Sequence, residues 1–268
     1  MSAPAGRASW TYAVARPFDP VRVAGLRGVG GAEVHQVPHR ELVAVVSALP
    51  AAGLGETALR AKLEQPEWLE AAARAHHAVV AAVAAGGATL PFRLATIHHG
   101  DDRVAAVLRR GYGRLCAALD RLEGRIELGV KVYADREAMV AAATAAAPPG
   151  PAGTSFGSAG PGRDYLRRRM ERHRQWEDAG RRAAALAERV AIALARLADD
   201  SRLQRPQDPR LSGIPGDNVL NAVYLVDARR AAALSALAER LVEGVPGAWV
   251  RVTGPWPPYS FADDGEPA

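Results

Sequence analysis

The sequence predicts an α+β chain of two domains. Residues 1–123 read as an N-terminal mixed α/β unit. Residues 124–254 read as a modified ferredoxin-like (split βαβ) domain with extra helices, and residues 255–268 as a C-terminal tail. Three observations predict this. Segments that alternate apolar and polar residues are interleaved with segments whose apolar residues recur every three or four positions. From Gly124 onward the order is strand, helices, strand, strand, helix, strand, that of a split βαβ unit with an enlarged first crossover. A length of 268 residues suits two modest domains.

In the first region, Trp10–Ala15 reads as a short strand. Val34–Val37 and Leu42–Ser47 read as two more, joined at Pro38-His39-Arg40. A loop rich in Ala and Gly follows. Pro66 and the acids Glu67 and Glu70 suit the first turns of a helix running to about Ala85, with Leu69, Ala72, His76, Val79 or Val80, and Val83 on one stripe and Gly86-Gly87 as its stop. Thr89–Ile97 is expected to be one strand, bent or at a sheet edge because of Pro91. Asp101-Asp102 caps the next helix, which runs to Gly124 on Val104, Val107, Leu108, Leu115, Leu119 and Leu122.

In the second region, Arg125–Tyr133 has the cleanest alternation. Ile126, Leu128, Val130 and Val132 point one way, and Arg125, Glu127, Gly129 and Lys131 the other. A short helix, Asp135–Ala146, precedes a Pro/Gly/Ser-rich stretch, Ala147–Gly162, expected to be a mobile loop. Arg163 to about Ala198 is a long helix, with Leu166, Met170, His173, Ala183, Leu186, Val190, Leu194 and Leu197 near one stripe and Gly180 as a candidate break. Arg202–Arg205 is a weak strand and Pro206–Asp217 a loop. Val219–Val226 reads as a buried central strand, Arg229–Val242 as a helix and Trp249–Thr253 as the last strand.

Composition narrows the function classes. Apolar residues make up 49% and charged residues 24%, so wholesale disorder is excluded. The single cysteine, Cys116, allows no intrachain disulfide and no cysteine-based zinc site. No apolar run reaches the roughly 18 residues a membrane span needs, and the first residues lack a secretory pattern, so a cytoplasmic chain is expected. The net charge of +5 comes almost wholly from arginine, lysine occurring only at Lys62 and Lys131.

Catalytic patterns fail one by one. Gly25, Gly28, Gly30 and Gly31 do not make a dinucleotide fingerprint, because Glu33 stands where the third glycine is required. No serine sits in a nucleophile elbow, and Ser155 and Ser158 lie in the expected mobile loop. His76 and His77 are adjacent on a helix and point about 100° apart. His98-His99 beside Asp101 and Asp102 is the best metal constellation, and solvated loop residues are the better reading. No cofactor is expected. The one charge concentration is Arg163–Arg182, eight arginines with Asp164, Glu171, Glu177 and Asp178 interleaved. A solvated helix is the first reading of it, a protein-binding surface the second, and an RNA- or DNA-binding face the third.

The tail reads Thr253-Gly254-Pro255-Trp256-Pro257-Pro258-Tyr259-Ser260-Phe261. Prolines stiffen it and the aromatic rings offer apolar area at low entropy cost, so it should dock in a groove. This segment resembles the C-terminal signature of the gas vesicle protein GvpL/GvpF family. Leu90-Pro91-Phe92-Arg93-Leu94-Ala95-Thr96, Gly124–Val132, Gly160-Pro161-Gly162-Arg163-Asp164-Tyr165-Leu166 and, more weakly, Asn221–Val226 resemble further family motifs, in family order. Ala95 departs from the glycine expected there. The resemblance implies a non-enzymatic accessory protein of gas vesicle assembly. Its partners would be the hydrophobic shell protein and other accessory proteins, and it would associate with the vesicle. It also implies two α+β domains with the tail packing between them. The residues it singles out for domain packing or partner binding are Pro91, Phe92, Arg93, Arg163, Tyr165, Leu166, Trp256, Pro257, Pro258, Tyr259 and Phe261.

Overall fold

The structure, a computed structural model, describes residues 6–52, 54–146, 161–206 and 215–262. The chain is mixed α+β with two sheets. It divides into two compact units, Met1–Glu127 with Pro255–Ala268, and Leu128–Gly254.

The first unit is built on an antiparallel sheet of β1 (Arg7–Ala15), β2 (Val34–His39), β3 (Leu42–Pro50), β4 (Thr89–Pro91) and β5 (Ile97–His98). Its order is β2-β3-β1-β4, with β5 also on β1. β1 is buried from Ala8 to Ala15 and so lacks a solvent face. Its alternation is broken by a bulge between Thr11 and Ala13. β2 and β3 are joined by Arg40-Glu41, with Arg40 at φ 53°, and Pro38 is tolerated because β2 is an edge strand. Helix α1 (Glu56–Leu63) occupies part of the expected Ala/Gly-rich loop. None of its residues is fully buried, and Ala58, Leu59 and Leu63 make only a short half-buried side, with Leu59 against the core. Helix α2 (Pro66–Ala84) buries Ala72, His76, Val79, Val80 and Val83 against Trp10, Tyr12, Val43 and Val45, whereas Leu69 is left exposed.

Two expectations in this unit are corrected. The single strand over Thr89–Ile97 is two short strands, β4 and β5. The chain turns between them where Ala95 takes φ 69°, a left-handed conformation that glycine adopts more cheaply. The single helix over residues 101–122 is two, α3 (Asp101–Arg110) and α4 (Tyr112–Leu122), broken at Gly111. Gly100 at φ 82°, and not Asp101, occupies the N-cap of α3. α3 packs on β1, β2 and β3, and α4 on β4.

The second unit holds a four-stranded sheet in the order β7-β8-β6-β9. These are β6 (Arg125–Ala134), β7 (Asp200–Leu203), β8 (Asp217–Asp227) and β9 (Ala248–Trp256). β6 buries Leu128, Val130 and Val132 as its alternation requires. Glu127, expected on the polar face, is buried as well. β8 is buried from Leu220 to Val226, and Asn218 Nδ2 ties it to β6 through the Val132 carbonyl at 3.0 Å. β6 and β9 approach closely at Gly129, where a Cβ would lie 2.6 Å from Thr253 Oγ1. Tyr133 stacks on Trp249 with ring centroids 5.7 Å apart.

Helix α5 (Arg136–Ala146) starts at Asp135, whose carboxylate accepts from the Ala138 N–H at 3.1 Å. Helix α6 (Pro161–Ala195) runs unbroken for 35 residues, about 52 Å at 1.5 Å per residue. Gly180 does not break it and lets the Arg136 guanidinium approach, 3.4 Å from where a Cβ would be. Ala179, Ala183, Leu186, Ala187, Val190 and Leu194 face the core, while Leu166 and Met170, expected on the same stripe, are exposed. Helix α7 (Ala231–Val242) buries Leu234, Ala238 and Val242. The expected loop Ala147–Gly162 lies outside the described residues up to position 160. So do Ser155, Ser158 and most of Pro206–Asp217.

Candidate functional site

In the first unit, the residues singled out by sequence converge on α2. Trp256 remains 41% exposed with its ring edge-on to His77 at 5.3 Å. Pro257 and Pro258 are buried, and Phe261 is fully buried. Tyr259 joins the core beside Trp10 and Tyr12, its hydroxyl 3.4 Å from His77 Nδ1. Burial raises its phenol pKa, and the nearby Glu127 charge adds to the rise.

Three hydrogen bonds then fasten the segment. Glu127 accepts from the Ser260 N–H at 2.7 Å through Oε2 and from Ser260 Oγ at 2.8 Å through Oε1. Arg121 Nη2 donates to the Phe261 carbonyl at 2.6 Å. Charged partners make such bonds shorter and stronger than neutral ones.

His76 is the hub beneath this segment. Trp10 Nε1 donates to its Nδ1 at 3.1 Å, and its Nε2 lies 3.0 Å from the Phe92 carbonyl. An indole N–H only donates and a carbonyl only accepts, so His76 is the neutral tautomer with its proton on Nε2. Burial lowers its pKa to about 4, helped by His77 and opposed by the Phe92 bond. Pro91 and Phe92 are core residues, the Phe92 N–H donating to the Tyr12 carbonyl at 2.8 Å. Arg93 is exposed, and its carbonyl accepts from Thr96. The structure thus links Phe92 to Tyr259 through His76, whose ring lies 6.4 Å from that of Tyr259, while Trp256 and the Tyr259 hydroxyl meet the neighbouring His77. Sequence reasoning missed His76, Arg121 and Glu127 as participants. The available signals were the place of His76 on an apolar stripe and a lone acid in a β-strand.

Arg163, Tyr165 and Leu166 belong to the other unit, on the first turns of α6. Tyr165 and Leu166 expose 57% and 56% of their surface, with Met170 at 56% and Trp176 at 43% further along. Arg136 lies over the Trp176 ring at 5.8 Å. His173 pairs with Glu177 at 3.2 Å, and Arg181 pairs with Asp178. Among the described residues no carboxylate pairs with Arg167, Arg168, Arg169, Arg172 or Arg174.

The polar groups near His98 have a structural arrangement. Asp101 accepts from Ser9 Oγ at 2.6 Å and contacts His35 Nε2 at 2.9 Å. Burial would raise the Asp101 pKa, but these two bonds together hold it low. The serine hydroxyl faces the carboxylate and not the imidazole, so the three side chains do not form a serine–histidine pair. His98 packs its ring edge-on to Phe92. Among the described residues no three His, Cys, Asp or Glu side chains are grouped to hold a metal ion. Cys116 is half-buried and its Sγ accepts from Arg16 at 3.3 Å. No described helix is long and apolar enough to cross a membrane.

Comparisons with known proteins agree with one another. The family model described as Gas vesicle synthesis protein GvpL/GvpF matches residues 8–263. Gas vesicle protein L of Streptomyces sp. (strain CB03234) is 45% identical over 260 residues, covering 97% of this chain and 94% of the relative. Gas vesicle protein F of the same strain is 29% identical over 189 residues, 70% of this chain and 76% of the relative. Among solved structures, gas vesicle protein GvpF from Anabaena sp. PCC7120 has the same fold at a TM-score of 0.67 and 17% identity, with 96% of each chain covered. GvpF from Microcystis aeruginosa matches at 0.64 and 17%, over 95% of this chain and 98% of that one. With a family match over nearly its whole length and a relative at 45% identity, this chain belongs to the GvpL/GvpF family of gas vesicle synthesis proteins.

Proposed function

We propose that this protein works by binding other proteins during gas vesicle assembly, holding the hydrophobic shell protein and other accessory proteins as a nucleator, chaperone or minor component. The observation that carries this reading is the family match over residues 8–263 together with 45% identity to a gas vesicle protein L. The physical logic is that shell subunits expose apolar surface before they assemble and aggregate unless a partner covers it. The greater identity to the L protein than to the F protein of one strain favours an L-type role. The strand order β7-β8-β6-β9 supports a ferredoxin-like second domain, because the two strands of each crossover lie in the places that fold requires.

The rival reading, a nucleic-acid-binding module, loses support from the same sheet. RNA recognition on such a fold uses exposed aromatic rings on central strands. Tyr133 and Tyr224 are both buried. The reaction-free reading also fits the Ser9–Asp101–His35 geometry, which ties α3 to the sheet. Deletion of the gene in a vesicle-forming strain, with complementation, tests the proposal. Loss of vesicles with shell protein accumulating in aggregates is expected, and normal vesicles in the deletion strain overturn the reading.

A further inference from the structure

Large apolar residues exposed on a monomer surface are ordinarily single and scattered. On α6 they are not. Leu166, Met170 and Trp176 lie four and six residues apart on one side of the helix, with His173, paired to Glu177, between the last two, the pattern by which one helix offers a seam to a second. Tyr165 flanks the seam at 57% exposure. Arg169 and Arg172 on one side and Arg167 and Arg174 on the other flank it without carboxylate partners among the described residues. From Ala179 onward the same helix buries its small and branched residues in the core, so its first half extends beyond the packing that stabilises the second. Aromatic residues, methionine and arginine are the types enriched where protein interfaces form.

We infer that the amino-terminal half of α6 docks an acidic amphipathic helix of a partner protein, apolar seam against Leu166, Met170 and Trp176 and carboxylates against the arginines. Charge selects this occupant. Residues 163–182 hold eight arginines against four acids, a formal excess of four positive charges. A second copy of the same helix would bring equal positive charge against it and be repelled. A nucleic acid would satisfy the arginines and leave Leu166 and Met170 uncovered. An acidic helix satisfies both features at once. This inference rests on the proposal that the chain acts by binding proteins, and it names the surface and the chemistry of one partner.

The test uses the full chain and two labelled synthetic peptides of about 21 residues, three heptads each. Both carry leucine at the seam positions. One is flanked by glutamate, the other by lysine. A single-stranded RNA oligonucleotide serves as a third probe. Fluorescence anisotropy should show the glutamate peptide binding and weakening with added salt, with the lysine peptide and the RNA bound at least about tenfold more weakly. L166S/M170S should weaken the glutamate peptide about tenfold. Both side chains are exposed, so its thermal midpoint should stay at the wild-type value. Equal binding of the two peptides, preference for the RNA, no binding of the glutamate peptide, or indifference to L166S/M170S overturns the inference. A strain carrying L166S/M170S separates the two proposals. If it makes normal vesicles while the deletion strain makes none, the docking face is wrong and the assembly role stands.

Discussion

Acidification should weaken the first unit through His76, by an amount that follows from its surroundings. The imidazole is buried, accepts from Trp10 and lies against the Phe92 carbonyl, and its pKa falls from 6.5 to about 4. An unfolded chain takes up the proton as pH drops through 6.5, while the folded chain refuses it until about 4. Stability is therefore unaffected by this group above 6.5 and is lost progressively between 6.5 and 4. Each tenfold difference in proton affinity between folded and unfolded chains is worth ~1.4 kcal/mol, so the full loss is about 3 kcal/mol. That is a large share of an ordinary domain's margin of about 5–15 kcal/mol. Protonation also puts a proton on Nδ1, facing the Trp10 N–H. Urea unfolding followed from about pH 7 to about pH 4.5 on wild type and H76Q checks this. The glutamine is neutral throughout, so carboxylate titration cancels in the difference. The wild-type curve should fall away from that of H76Q by about 2–3 kcal/mol at the acid end. Parallel curves would refute the assignment of a neutral, proton-refusing histidine.

Three further outcomes are expected. E127A removes the acceptor of both Ser260 bonds and should cost about 2–3 kcal/mol, with faster amide exchange or proteolysis confined to the last described residues; unchanged protection there contradicts it. G28A places a methyl group onto the Tyr12 hydroxyl and 2.6 Å from Ser47 Oγ, in a fully buried network where Tyr12 donates to Ser47 and accepts from the Val29 N–H; a thermal unfolding loss of about 3 kcal/mol or more is expected. G129A collides with Thr253 Oγ1 and should be rescued in part by T253S, or more fully by T253A, in a double-mutant cycle; strict additivity of the two changes would show that the contact is not made.

Strong periodicity was legible in the sequence. The alternation of Leu128, Val130 and Val132 and the stripe of Ala72, His76, Val79, Val80 and Val83 both reach the core as read. The expectations that failed share a cause, which is that local pattern does not know its tertiary neighbours. Helix α1 is two turns long and offers only Ala58, Leu59 and Leu63 as a half-buried side, too short a pattern to reveal it. The break at Gly111 leaves the apolar spacing on both sides intact, so one helix and two look alike. Ala95 turns the chain at a φ its side chain disfavours, which only tertiary contacts impose. Glu127 read as a solvent-facing acid because its partner, Ser260, is 133 residues away. In the site, aromatic and proline content exposed the docking segment, and the apolar stripe placed His76 in the core without naming its partners Trp10 and Phe92, 66 and 16 residues away. On α6 the stripe was read along the whole helix, but only its second half reaches the core.

The chain leaves the first unit along β6 and returns to it only at Pro255, and this order of synthesis has a consequence on the ribosome. The sheet, α2, α3 and α4 are all made early, yet Tyr259 and Phe261 emerge only after the whole of the second unit. Throughout translation of the intervening unit, the nascent first unit must wait with the pocket over His76 open. A product stalled within the second unit would keep that apolar gap until the segment from Pro255 onward is made.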